Sequence, residues 1–266
     1  MSNNPYYKQH WIDIEPERHE AYDQILAFHP AMEPLLKPLE LAPGLRVLDV
    51  GSGPGHTAME LARRVAPSGK VTGVDINADF VERSNRRARE AGVPAEFVRS
   101  GFPPLNFPDR SFDRVFCKNV LEYVDSAADT VAEMARVAGA GAVVVATDSD
   151  WDMMALETGA GTADLNERVL GAAKSIALKE PKIGRRLYGL FREAGLTDVK
   201  VEVMAAADTL GRSTPMLKAS FARYARDSGR VMEQEVAQWL ANINRAIERG
   251  TFLLVLPQFI VRGVKR

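Results

Sequence analysis

The stretch Val47-Leu48-Asp49-Val50-Gly51-Ser52-Gly53-Pro54-Gly55-His56-Thr57 decides how this chain folds. Its first residues, with Arg46, read as a short buried strand. Three glycines follow at alternate positions, and a helical pattern runs from about Thr57 to Val65. A glycine loop between strand and helix delivers a ligand to the amide end of the helix. A side chain at any of the three glycines is expected to block a ligand from the backbone. Asp75 closes the next strand, 20 residues past Gly55. A carboxylate there can accept both hydrogen bonds of a ribose diol.

Outward from this loop, strands and helices alternate. The pattern predicts strands at Arg46 to Val50, Lys70 to Asp75, Ala95 to Arg99, Phe112 to Cys117 and Ala142 to Thr147. It predicts helices at Ala78 to Ala91 and Ser126 to Val137, and a helical stretch over 15–40 broken near His29-Pro30. The strands are continuously apolar, as expected when helices cover both faces of a parallel sheet. The expected fold is α/β, with a doubly wound sheet that binds ligands at the carboxyl ends of its strands. The second half reads as helical over 150–180, a helix from Lys182 to Ala194 capped by Gly195, and a strand from Leu196 to Met204. Two helices over 214–249 and a final strand from Thr251 to Val261 complete it.

Asp49 and the glycine spacing separate two readings of the loop. The spacing is G-x-G-x-G, whereas dinucleotide-binding loops use G-x-G-x-x-G. An acid two residues before the first glycine opposes a pyrophosphate and suits a cationic ligand. An NAD-type oxidoreductase is thus the weaker alternative, and a non-catalytic binding module is the other.

Four segments together carry a family resemblance. Asp49-Val50-Gly51-Ser52-Gly53-Pro54-Gly55 resembles the first motif of class I S-adenosylmethionine (SAM)-dependent methyltransferases. Val71-Thr72-Gly73-Val74-Asp75 is similar to their second-strand motif. Phe107 to Asp113 resembles the segment before their fourth strand, and Asn119 to Val124 the motif after it. Small-molecule enzymes of quinone and natural-product biosynthesis look nearest. The resemblance implies a Rossmann-like seven-stranded sheet with its last strand antiparallel. It also implies a SAM-binding core over 41–147 and an N-terminal helical lid over 1–40, all in one domain over 1–266. The helical insertions at 150–180 and 207–249 are longer than connections require, and could be substrate caps or inert padding.

The same resemblance implies roles for residues. Gly51, Gly53 and Gly55, with Ser52, would pass under the methionine and ribose of SAM. Asp75 would hold the ribose hydroxyls, and Ile76 would pack on adenine. Lys118 and Asn119 would lie near the sulfonium, and Asp49 would act from behind the loop. His56 could touch the methionine end or face outward. The family's adenine-pairing acid is replaced here by Gly101, so adenine would be held by backbone groups, Ser100 and Phe102. The expected reaction moves the methyl group of SAM to a hydroxyl, amine or carbon of a small molecule.

His10, Tyr7 and Glu122 are the candidate bases. His10 and Tyr7 lie in the aromatic run Tyr6-Tyr7-Lys8-Gln9-His10-Trp11, which could close a site or merely anchor a surface helix. Tyr123 and Trp151 could face substrate or the core. Asp113 is expected to support the sheet edge, and Arg185-Arg186 to form a solvated helix face.

Composition excludes several classes. The chain has 266 residues, 26% of them charged, and a formal net charge of −1. It lacks the clustered basic surface that a nucleic-acid partner requires. Four histidines without ligand spacing and one cysteine, Cys117, give no expected metal site and no intramolecular disulfide. No apolar run reaches the length of a membrane span. The polar first residues carry no leader-like apolar core, so the cytoplasm is the expected location. A homo-oligomer stays open.

Overall fold

A computed structural model describes residues 5–14 and 16–266. The N-terminal part forms α1 (Tyr6–Ile12), α2 (Pro16–Ile25) and α3 (Glu33–Leu36). Alternation begins with β1 (Arg46–Val50), α4 (His56–Val65), β2 (Lys70–Asp75), α5 (Ala78–Ala91) and β3 (Ala95–Arg99). It continues with β4 (Phe112–Lys118), α6 (Ala127–Val137) and β5 (Ala138–Ser149). The remainder comprises β6 (Ala155–Glu157), α7 (Ala163–Ala177), α8 (Ile183–Glu193), β7 (Thr197–Met204) and β8 (Ala207–Asp208). After these come α9 (Thr214–Met216), a π-helical turn Leu217–Phe221, α10 (Ala222–Asp227), α11 (Glu233–Glu248), β9 (Leu253–Val255) and β10 (Gln258–Val264).

Seven strands form one sheet in the order β3-β2-β1-β4-β5-β10-β7. The contacts among β1 to β5 are parallel, and β10 runs antiparallel to both neighbours, β5 and β7. The order reverses between β1 and β4, which opens a crevice at their carboxyl ends. Successive residues of β1 serve opposite cores. Leu48 and Val50 join the core beneath α6 and α8, and Val47 joins the one beneath α3 and α4. That is why these strands read as unbroken apolar runs. The helices are bounded by their sequence. The Asn77 side chain accepts from the Phe80 amide to start α5, and Gly92 ends it in the left-handed region.

A second core has no counterpart in the strand pattern. Trp151, Val169, Leu170, Tyr224, Trp239, Ile243 and Phe252 pack together from α7, α10, α11 and their connections. A small antiparallel sheet, β6-β9-β8, belongs to this unit. Two expectations are corrected here. The stretch 150–180 contains a strand, β6, and the single final strand expected over 251–261 is two strands in two sheets. Pro257 divides them because proline has no amide to continue a ladder. Its carbonyl accepts from the Asp150 amide at 3.1 Å.

Candidate functional site

The glycine loop leaves β1 at the reversal point and is tied to the neighbouring strand. The Gly51 and Ser52 amides both donate to the Val74 carbonyl, at 2.8 and 2.9 Å. All three glycines have positive φ. Their Cα atoms face different things. A Cβ on Gly51 would lie 2.2 Å from Val120, and one on Gly55 would lie 2.6 Å from the Ser84 hydroxyl. Only at Gly53 is the space open, with Leu26 at 3.9 Å. Gly51 and Gly55 are therefore required by protein packing, and of the three Cα positions only that of Gly53 faces open space. This corrects the expectation that all three keep space for the ligand.

Asp75, at the end of β2, is buried and holds the loop in place. Its Oδ2 accepts from the Gly53 amide at 2.7 Å and its Oδ1 from the Asn77 amide at 2.9 Å. Each oxygen keeps lone-pair capacity for a further donor. Burial raises its carboxyl pKa, opposed by these amide bonds.

These groups line a cavity of about 210 Å³. Asp49, Gly51, Ser52, Gly53, His56, Asp75, Ile76, Phe102, Lys118, Asn119 and Glu122 all reach it. Gly55, Ser100, Gly101, Tyr7 and His10 do not line it. Ser100 donates its amide to the Asp75 carbonyl and its hydroxyl to the Gly101 carbonyl, and Gly101 is exposed. The Tyr7 hydroxyl turns outward to Asp125 at 3.0 Å. His10 is buried behind the wall, its Nδ1 2.7 Å from the Tyr6 carbonyl oxygen, with its ring against Trp11, Tyr123 and Tyr224. Burial lowers its pKa to about 4, so it is a neutral packing group. The expectation of a base at His10 or Tyr7 is corrected by this placement.

Glu122 reaches the wall with its carboxyl bonded to protein partners. It accepts from the Trp151 indole N–H and hydrogen-bonds Asp148. Asp148 itself accepts from the Val120, Leu121 and Ser149 amides. Three amide donors favour the charged form of Asp148, so Glu122 carries the proton between them, and burial raises the pKa of both. This makes Glu122 a brace for Trp151 and corrects its candidacy as a base.

The rest of the wall comes from elements remote in sequence. Trp11 and Tyr22 from α1 and α2, and Phe221 and Tyr224 from the inserted unit, meet Tyr123 and Trp151. The Trp11 and Tyr123 ring centroids lie 5.1 Å apart, and Trp151 stacks on Phe221 at 4.8 Å. Sequence reasoning gave no role to Tyr22, Phe221 or Tyr224. Their helices carry no motif, and only the fold brings them to the loop. The α2 helix is latched by Asp23, which meets His56 at 3.2 Å, Arg83 at 3.1 Å and Arg87 at 3.0 Å. Arg87 also donates to the Pro54 carbonyl of the glycine loop. Asp113 pairs with Arg46 and Arg185 with Asp150, which are structural roles.

The unsatisfied atoms at the cavity state what it fits. Among the described residues, Asp49 Oδ2, Ser52 Oγ, Asn119 Oδ1 and Trp11 Nε1 are buried without partners. Acceptors outnumber donors, which suits a ligand rich in N–H and O–H groups. Burial pushes the Asp49 carboxyl up to about 7, against the pull of Lys118. A cationic ligand would hold Asp49 ionised.

Residues 47–141 match the family model described as Methyltransferase domain. These residues form a methyltransferase domain. The acceptor-rich pocket fits the ribose diol, ammonium and sulfonium of S-adenosylmethionine, the ligand that the sequence resemblance implies. The chain is 30% identical over 205 residues to the "Uncharacterized 37.1 kDa protein in transposon TN4556" of Streptomyces fradiae, covering 71% of this chain and 56% of that one. It is 35% identical to the ubiquinone biosynthesis O-methyltransferase of Hahella chejuensis, covering 48% and 56%. The chain thus spans little more than half the length of these curated relatives. Its fold resembles that of phosphoethanolamine N-methyltransferase 2 from Haemonchus contortus in complex with SAM, with a TM-score of 0.63 and 17% identity. That likeness covers 97% of this chain and 60% of the other. Among the described residues, no helix is long and apolar enough to cross a membrane, and no group of three or more His, Cys, Asp or Glu could hold a metal.

Proposed function

We propose that this protein transfers the methyl group of SAM to an oxygen, nitrogen or carbon nucleophile of an apolar, ring-bearing small molecule, in secondary metabolism. One observation carries the reading. A single cavity runs from the glycine loop and Asp75 to a chamber walled by Trp11, Tyr22, Tyr123, Trp151, Phe221 and Tyr224. Flat aromatic walls complement a flat apolar acceptor, and their stacking prefers rings. The Hahella relative is named for a quinone pathway and the Haemonchus neighbour for phosphoethanolamine. The aromatic wall favours the former kind of acceptor.

Asp75 would take the ribose hydroxyls, Asp49 and Asn119 the ammonium, and Ile76 with Phe102 the adenine. Bound SAM supplies a methyl group on a cationic sulfur. The chain's contribution is alignment and exclusion of water. In-line placement of two reactants can contribute roughly 7–11 kcal/mol. The helices α1, α2 and the inserted unit shield the chamber, and exclusion of water disfavours a positive charge that disappears on transfer. The enclosed chamber and the net charge of −1 favour a small molecule over nucleic acid. A free, buried Cys117 suits the reducing cytoplasm.

Calorimetric titration with S-adenosylhomocysteine tests this reading, on wild type and on Asp75→Ala. Binding that weakens by about 1.5–3 kcal/mol in the variant is expected. Wild-type protein freed of copurified ligand that still does not bind would refute it.

A further inference from the structure

Most titratable side chains on the cavity wall are committed to protein partners. Lys8 pairs with Asp125, His56 with Asp23, and Glu122 with Trp151 and Asp148. Lys118 differs. Among the described residues, only longer-range electrostatic influences act on its amine, with no hydrogen bond. It is half-buried and lines the cavity, so its free part opens there.

The sheet register places this amine. Lys118 ends β4 opposite Thr147 of β5, and Phe116, on the same face, lies opposite Asp49 of β1. Lys118, Phe116 and Asp49 thus share one sheet face, and all three reach the cavity. Three carboxyls act electrostatically on the amine from three elements: Asp49 from β1, Asp148 from β5 and Glu122 from the turn after β4. Cys117 neighbours it on its own strand.

We propose that Lys118 is the base that takes the proton from the methyl acceptor, which is therefore an alcohol, phenol or amine bearing a removable hydrogen. The proposal rests on the methyl-transfer reading above. The acceptor's O–H or N–H bond breaks, and its proton passes to Nζ. The electron pair left on the acceptor atom bonds the methyl carbon. The sulfur–methyl bond breaks with its electrons on sulfur, leaving a neutral thioether. Nζ is then an ammonium, and Asp49 beside it is the acidic group through which the charge is balanced.

A lysine can act as a base only as a neutral amine. Burial lowers the pKa of Lys118 and outweighs the three carboxyls, which favour the charged form. A sulfonium in the same cavity adds positive charge and pushes in the same direction. The other candidates lack this access. His10 lies behind the wall, the Tyr7 hydroxyl is outside it, and Glu122 is bonded to protein partners.

The experiment uses the full chain, S-adenosylhomocysteine, and 5′-methylthioadenosine, which lacks the amino-acid part. Lys118→Met should bind both within about threefold of wild type. A loss of tenfold or more for S-adenosylhomocysteine alone would make Lys118 the partner of the cofactor's carboxylate and overturn the proposal. Wild type is then labelled with fluorodinitrobenzene, which attacks an amine only in its neutral form, from roughly pH 6 to 11. Mass spectrometry of the Lys118 peptide should give a midpoint clearly below that of exposed Lys200. A shared midpoint would also overturn the proposal. Failure of wild type to bind either nucleoside would instead refute the methyl-transfer reading itself.

Discussion

The Asp75 carboxylate and the Gly53 amide lie 2.7 Å apart, although 22 residues separate them in the chain. The residue expected to bind the ribose thus also fixes the glycine loop beside it. Asp75→Ala should then lose stability as well as affinity. It leaves the half-buried Gly53 amide and the buried Asn77 amide without acceptors, at up to about 1–3 kcal/mol for each. Asp75→Asn keeps one carbonyl acceptor and should lose less of both. Thermal unfolding measured beside S-adenosylhomocysteine binding checks this. Weaker binding at unchanged stability in Asp75→Ala would show that the loop stands without it.

The three loop glycines should separate by experiment. Gly51→Ala and Gly55→Ala drive a methyl into Val120 and into Ser84 with Phe97, at positive φ. They should destabilise the fold by about 2–4 kcal/mol, combining overpacking and left-handed strain. Gly53→Ala meets open space and should cost about 1–2 kcal/mol from its backbone alone, with its main effect on cofactor affinity. Urea unfolding with calorimetry distinguishes these. Equal losses of stability at all three would contradict the packing.

Acid should undock α1 through His10. An unfolded histidine titrates near 6.5, and the buried ring near 4. Between these values the unfolded chain binds more protons, so stability is full above pH 6.5 and falls as pH drops toward 4. The loss approaches about 3 kcal/mol at the lower end. The raised carboxyls of Asp49, Glu122 and Asp148 act in the opposite direction, so the measurement is a difference. Wild type should lose more stability between pH 6.5 and 4 than His10→Phe. Parallel pH profiles would show that His10 is not held neutral.

The brace at Glu122 predicts a contrast between two variants. Glu122→Gln keeps an acceptor for Trp151 and offers Asp148 an N–H, so stability should change by less than about 1 kcal/mol and methyl transfer should persist. Glu122→Ala leaves the indole N–H unsatisfied beside a void and should cost about 2–5 kcal/mol. Near-UV circular dichroism would report the freed Trp151. Loss of transfer in a folded Glu122→Gln would restore Glu122 as a base.

Much of the core was legible because each local signal agreed with the next. The strands at 46–50, 70–75 and 95–99 and the helix at 78–91 stand where their patterns placed them. Their ends are marked by residues with local reasons, Asn77 and Gly92 among them. The inserted unit was less legible. Ala155–Glu157 has no strand signature and forms β6 only because β9 lies beside it. The stretch 251–261 looked continuous because hydrophobicity does not show which sheet a residue joins.

The sequence by itself determined the parallel core, the glycine loop, and the acids Asp49 and Asp75 at its edges. These depend on near neighbours in the chain, where spacing becomes geometry directly. Tertiary structure alone decided which side chains face the cavity and which face the protein. It turned Gly51 and Gly55 toward packing, set His10 behind the wall, engaged Glu122 with Asp148, and brought Tyr22, Phe221 and Tyr224 to one chamber. Those outcomes depend on contacts between residues dozens to hundreds of positions apart, fixed by burying two cores against each other. No local pattern encodes such contacts.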